Sequence, residues 1–117
     1  MQPRNLEVSM IYEQRVYLAV PGRLPDLLAR FRVHTLGIWK RLGIEQAGFW
    51  TTAVGPDSNQ LTYLLRWESL AEREAKWSAF VTDAEWRSVS AASEANGPII
   101  ERIASSFLLP TDFSSVR

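Results

Sequence analysis

The 117-residue chain contains no cysteine. Disulfides, thiol nucleophiles and thiolate metal sites are thereby excluded, and a reducing compartment is compatible. Histidine occurs once, as His34, so no cluster of imidazoles can gather a metal, and no metal site is expected. Neither sign of charge dominates: thirteen Lys and Arg balance thirteen Asp and Glu. Nucleic acid and anionic membranes are usually met with a basic surplus or stripe, so neither is expected as a partner. No apolar run approaches the length of a membrane span. Residues 1 to 7 carry no apolar stretch and no Arg/Ser-rich amphipathic pattern, which argues against a secretory signal or transit peptide. A cytoplasmic location is expected. Phosphate loops, dinucleotide fingerprints, nucleophile elbows, paired-histidine helices and calcium loops are all missing.

What the chain does have is five tryptophans, at positions 39, 50, 67, 77 and 86, in a length suited to one domain. Aromatic residues in that number dominate cores and interfaces. The first strand reads from about Ser9 to Val20, and alternation puts Glu13, Arg15 and Tyr17 on one side. Met10, Tyr12, Val16, Leu18 and Val20 lie on the other, which suits a core. From Leu24 the apolar positions 24, 27, 28, 31, 35, 38 and 42 step by three and four, one face of a helix that Gly43 ends. Residues 46–54 and 60–67 read as two strands joined by the turn residues 55–59. Leu61, Tyr63, Leu65 and Trp67 share a face of the latter. Ser69-Leu70-Ala71-Glu72 and Thr82-Asp83-Ala84-Glu85 are capping boxes opening two helices, and residues 99–109 form a last strand.

This order is β-α-β-β-α(α)-β, an α+β, ferredoxin-like split β-α-β: a four-stranded antiparallel sheet with helices on one face and strands one and three central. Residues 1–8 read as an N-terminal arm, 9–113 as the single domain and 114–117 as a tail. Helices cover one side only, and apolar side chains are left on the other. A small domain rarely leaves such a surface wet, so two copies are expected to pair sheet to sheet as a dimeric α+β barrel, with Glu13, Arg15 and Tyr17 near its lining.

Met10-Ile11-Tyr12-Glu13-Gln14-Arg15-Val16-Tyr17 with Pro21-Gly22, then Gly48-Phe49-Trp50, the run Leu65 to Arg73, Trp77 and Trp86 resemble in order the landmarks of the NIPSNAP family. The resemblance spans about Met10 to Phe113. It implies a dimeric α+β barrel and a single-domain, bacterial-type member of unknown biochemical activity. Eukaryotic relatives carry paired domains and mitochondrial targeting, features this chain does not share. Related barrels include monooxygenases, haem-degrading enzymes and isomerases, a likeness of fold rather than of chemistry.

Arg15 can clamp a carboxylate or phosphate through its bidentate donors, and Tyr17 beside it can donate to a carbonyl. The ordinary alternative is an ion pair of Arg15 with Glu13 and a packed tyrosine. His34 is the lone candidate general base or haem ligand, with a boundary helix residue as its plainer reading. Arg15, Tyr17 and His34 are thus the catalytic candidates, and Glu13, Arg15, Tyr17, Trp50 and Trp67 the pocket or interface residues. Arg73 reads as reaching the sheet edge or as a surface ion pair. The function expected is that of a homodimer binding a partner or a small apolar or carboxylate-bearing ligand, with no cofactor. The alternative is a barrel-type enzyme, monooxygenase- or isomerase-like, cofactor-free or haem-dependent, so whether the chain is an enzyme stays open.

Overall fold

A computed structural model describes residues 10–117; the arm assigned to residues 1–8 and the proposed strand start at Ser9 lie outside the described residues. The elements run β1 (Ile11–Ala19), α1 (Leu24–Arg30), a π-helical turn (Phe31–Thr35), α2 (Leu36–Leu42), β2 (Glu45–Thr51), β3 (Gln60–Trp67), α3 (Leu70–Val81), α4 (Ala84–Ser93) and β4 (Ile100–Leu108). The four strands form one antiparallel sheet in the order β2-β3-β1-β4, with β1 and β3 central as the sequence order implies. No described helix is long and apolar enough to cross a membrane.

The hydrophobic core lies between the sheet and the helices. Leu61, Tyr63, Leu65 and Trp67 of β3 are all buried there, against Leu27, Phe31, Ile38 and Trp39 from the α1–α2 segment and Phe80 from α3. Burial of this kind is worth roughly 1.5–3 kcal/mol per large side chain, and it sets the face of β3 that the 2-residue alternation suggested.

β1 corrects the sequence reading. Glu13, Arg15 and Tyr17 face the helices and are buried, whereas Gln14, Val16 and Leu18 lie on the uncovered face. Register explains this: Glu13, Arg15 and Tyr17 sit opposite Leu65, Tyr63 and Leu61, so the pleat forces both sets to one side. Hydrophobicity favoured the opposite assignment, because Tyr12, Val16 and Leu18 look like core. The cost of burying the Glu13 charge is met here by four hydrogen bonds, described below.

The long helix expected over residues 24–42 is broken in phase rather than at Gly37, which is exposed. At the π turn the Leu36 N–H reaches the Phe31 carbonyl, and Thr35 Oγ1 donates to the Arg30 carbonyl at 3.3 Å. The wider turn absorbs a spacing of four, so Phe31, Thr35 and Trp39 all keep facing the sheet. His34 is turned out to solvent.

Helix starts follow their caps. Ser69 Oγ accepts from the Glu72 N–H at 3.0 Å, and Glu72 answers by accepting from the Glu68 N–H. At α4 the cap is Asp83, not Thr82: Asp83 Oδ2 accepts from the Trp86 N–H at 3.0 Å. The Thr82 hydroxyl instead donates back to the Ser78 carbonyl at the end of α3, at 2.7 Å. Arg41 adds ion pairs to Asp83 and Glu85, fastening α4 to α2.

β2 ends at Thr51, earlier than the expected Val54, and carries one extra residue against β3 between Gln46 and Phe49. This bulge brings Phe49 opposite Tyr63, their rings stacked 4.7 Å apart on the helix side. Gly48 within it has φ +120°, and a Cβ there would lie 2.5 Å from the Trp50 ring. Gly48→Ala is expected to cost about 1–3 kcal/mol, read as a lower denaturation midpoint with unchanged slope in urea.

Candidate functional site

Glu13 is the centre of the site. Its carboxylate is fully buried and accepts four hydrogen bonds: from Arg73 Nε (3.0 Å) and Nη2 (3.1 Å), from Arg15 Nη1 (3.0 Å) and from Trp67 Nε1 (3.1 Å). β1 supplies Glu13 and Arg15, β3 supplies Trp67, and Arg73 descends from the first turn of α3 just after its Ser69 cap. Burial alone raises the pKa of Glu13, but the hydrogen bonds and charges of Arg73 and Arg15 outweigh it and hold the carboxyl below its usual range.

Arg15 spends its remaining contacts on two phenols, donating from Nε to the Tyr63 hydroxyl at 2.8 Å and from Nη2 to the Tyr17 hydroxyl at 3.2 Å. Burial opposes its charge, but Tyr63, Tyr17 and Glu13 more than offset this and raise its pKa, so it stays a cation. The Tyr17 and Tyr63 oxygens are 2.8 Å apart. Tyr63 is fully buried, and burial pushes its hydroxyl well above the ordinary tyrosine range, Tyr17 adding to the rise. As a neutral phenol accepting from Arg15, it has the Tyr17 oxygen as its only acceptor among the described residues. Both phenols accept from Arg15 and share one hydrogen bond, so one of their two protons has no acceptor among the described residues, and Tyr17 is the phenol that lines the groove.

That groove encloses about 270 Å³ between the sheet and the helices. Arg15 and Tyr17 form its floor, and Phe31, Trp39, Trp77 and Trp86 its aromatic walls; Ile103, exposed on the edge strand β4, marks its mouth. The Arg15 guanidinium lies 4.5 Å from the centre of the Trp77 ring, and that of Arg73 lies 5.2 Å from it on the same helix. Cations held over an indole face in this way gain from its quadrupole and fix the ring's position.

The sequence-selected residues divide accordingly. Arg15, Tyr17, Glu13 and Trp67 come together, but beneath the helices, so the expectation that Glu13, Arg15 and Tyr17 line a sheet-to-sheet interface is corrected. Trp67 is core, its indole N–H spent on Glu13. Trp50 stands apart on the open sheet face, pairing in register with Thr62. His34 lines a separate hollow between α1, the π turn and α4, with Arg23, Asp26 and Val33, and does not join Arg15 and Tyr17. Among the described residues no three His, Asp or Glu side chains gather as a metal site. Sequence reading missed Tyr63 and the groove-lining Arg30 as site residues, ranked Trp50 and Trp67 ahead of Trp77 and Trp86 as lining, and gave Arg73 only a surface or edge role. The (i, i+4) spacing of Arg73 and Trp77 after a firm cap was the available signal.

The fold thus defines an α+β protein of the ferredoxin-like class with a polar-floored groove under its helices. Residues 12–115 match the NIPSNAP family model, and the chain belongs to that family. It is similar to a crystal structure of a NIPSNAP family protein from Agrobacterium tumefaciens, at 29% identity and a TM-score of 0.81, over 92% of this chain and 99% of the other. A similar match is an uncharacterized NIPSNAP-like domain protein from Burkholderia xenovorans, with 26% identity, a TM-score of 0.80 and coverage of 90% and 88%. A second Agrobacterium NIPSNAP family protein with unknown function shares the fold at 24% identity and a TM-score of 0.82, over 95% and 96% of the two chains. No curated protein matches this chain.

Because folding lowers the Glu13 pKa, its contribution to stability is complete above the ordinary carboxylate range and is lost as pH falls through the depressed value. Glu13→Gln leaves two guanidiniums without their shared anion and is expected to cost about 3 kcal/mol. Thermal melts across the acid range should show a shallower pH dependence in this variant; an identical slope would mean Glu13 does not carry the linkage.

Proposed function

We propose that this NIPSNAP protein works as a cytoplasmic homodimer that binds a small, largely apolar molecule in the groove above Arg15 and Tyr17. The observation that supports it is a preorganised polar floor beneath aromatic walls: Arg15 is fixed by Glu13, Tyr63 and Tyr17, while Phe31, Trp39, Trp77 and Trp86 offer apolar surface above it. Binding sites combine few, oriented polar groups with apolar lining, and about 270 Å³ suits a compact ligand. Holding the floor rigid in advance removes an ordering cost from binding.

The homodimer rests on the sheet face that no helix covers. Val16 and Leu18 of β1, Leu64 of β3, Trp50 of β2 and Leu108 of β4 lie there, with Trp50 53% and Leu108 41% exposed. A second copy presents the same strip, so a two-fold pairing matches apolar surface with apolar surface. These residues replace Glu13, Arg15 and Tyr17 as the interface.

A catalytic role has one observation in its favour: the Tyr17 hydroxyl, lining the groove beside a fixed cation, suits proton or hydrogen-bond donation to a carbonyl oxygen. The position of His34, outside the groove, gives no support to imidazole or haem chemistry there.

Two measurements test the proposal. Tryptophan emission should change saturably when small aromatic compounds are titrated in, and Ile103→Trp, narrowing the mouth, should weaken binding severalfold without altering the fold. Sedimentation should give a dimer at micromolar concentration and, for Leu64→Arg, mostly monomer, since pairing would bury an uncompensated charge. A wild-type monomer under those conditions removes the homodimer from the proposal.

A further inference from the structure

The groove's polar atoms are unequal in kind. Arg15 has five N–H bonds, of which Glu13, Tyr63 and Tyr17 each take one. Tyr17 and Tyr63 each accept from Arg15 and share one hydrogen bond, so one phenolic proton of the pair has no recipient among the described residues. Arg30 Nε and Trp39 Nε1, belonging to two further lining residues, are buried with no hydrogen-bond partner. Buried donors without acceptors are uncommon in folded proteins, and of the three among the described residues two belong to this lining, the third being Arg66 Nε elsewhere. At the floor the acceptor is spent, since Glu13 is saturated, and the remaining acceptors of the lining are Glu94, bonded to Arg30 at 3.1 Å, and the Ser90 and Thr35 hydroxyls.

The charges point the same way. Arg15 and Arg73 share the single buried carboxylate of Glu13, and Glu74 approaches Arg73 only from the solvent side, at 3.6 Å with its side chain 78% exposed. In the buried part of the network two guanidiniums thus meet one carboxylate. From this we infer that the groove selects a monocarboxylate with an aryl or alkyl body, its head group accepting from the Tyr17 O–H and an unspent Arg15 N–H. This rests on the groove being a ligand site and adds what the ligand's polar end must be. A carboxylate is acceptor-only and supplies one negative charge, matching the floor in both respects. An alcohol or amide brings no charge to set against the Arg15 guanidinium, so the floor favours a carboxylate over either. A phosphate brings up to two charges against the one guanidinium in excess of the buried carboxylate, and the aromatic walls need an apolar body that inorganic phosphate does not have.

The test is a matched series on the full chain, followed by tryptophan emission and calorimetry: 3-phenylpropionate, 3-phenylpropanol, 3-phenylpropionamide and inorganic phosphate. The acid should bind at least about tenfold more tightly than the alcohol or amide, the value of one charge-assisted hydrogen bond. Tyr17→Phe should lose most of that preference while binding the alcohol as before, and His34→Ala, outside the groove, should keep it. Circular dichroism and melting curves establish that the variants are folded; should Tyr17→Phe not fold, Arg15→Lys takes its place and should reduce the same preference. Equal affinity for acid and alcohol overturns the carboxylate assignment and leaves the groove reading standing. Binding of none of the organic probes at millimolar concentration overturns both. Displacement of phenylpropionate by phosphate at equal concentration overturns selectivity for a carboxylate in favour of a general anion site.

Discussion

A fully buried carboxylate organises this protein. Glu13 would be prohibitively costly under the helices as a bare anion, and four hydrogen bonds from three residues make it tolerable. Each donor comes with a structural consequence. Trp67 fixes the register of β3 against β1, Arg15 carries the polarity along β1 to the tyrosines, and Arg73 ties α3 down to the sheet. A one-residue slip of β1 would turn Glu13 to the far face and leave Arg73 and Trp67 without their acceptor, so the network specifies register as well as contributing attraction.

The groove is a by-product of the same arrangement. β4 pairs with the far side of β1, and the helices do not fully cover it, so Ile103 and Phe107 stay partly exposed on the helix side. Between that edge and the aromatic side chains of α3 and α4 a space remains, with Arg15 and Tyr17 at its base. Stability and function draw on one set of residues: the ion network that anchors α3 also fixes the cation at the floor. Arg73 illustrates this, bonding Glu13 while its guanidinium lies over Trp77, a wall of the groove, and near Phe107. The two Agrobacterium and Burkholderia relatives above 25% identity show that the chassis is shared among bacterial members of the family.

The two faces of the sheet serve different ends. The helix side holds the charged network and most of the aromatics, while the open side carries a milder mixture of Val16, Leu18, Leu64 and Thr62. Residues near the C-terminus line a shallow hollow over Tyr12 and Leu64, and the Arg117 carbonyl accepts from Arg66 Nη2 at 3.0 Å. Tyr12 is buried in this way on the open face, without help from any helix.

Local chemistry was legible in the linear chain. Caps at Ser69 and near Asp83, the αL stop at Gly43, the hairpin turn and the alternation of β3 are short-range rules, and they yielded the element order and the α+β class. The face of β1 was not legible. Tyr12-Glu13-Gln14-Arg15-Val16-Tyr17 alternates well either way, and hydropathy favours the wrong side, because it assigns a buried ion its full desolvation cost without the partners that offset it. Those partners, Arg73 and Trp67, are sixty and fifty-four residues away in sequence. His34, exposed on the π turn, lies away from Arg15 and Tyr17, a separation that depends on how the helices pack rather than on local sequence. Sequence determined what each segment prefers to be; tertiary structure decided which side of each segment is buried, since that depends on long-range donors and acceptors finding one another.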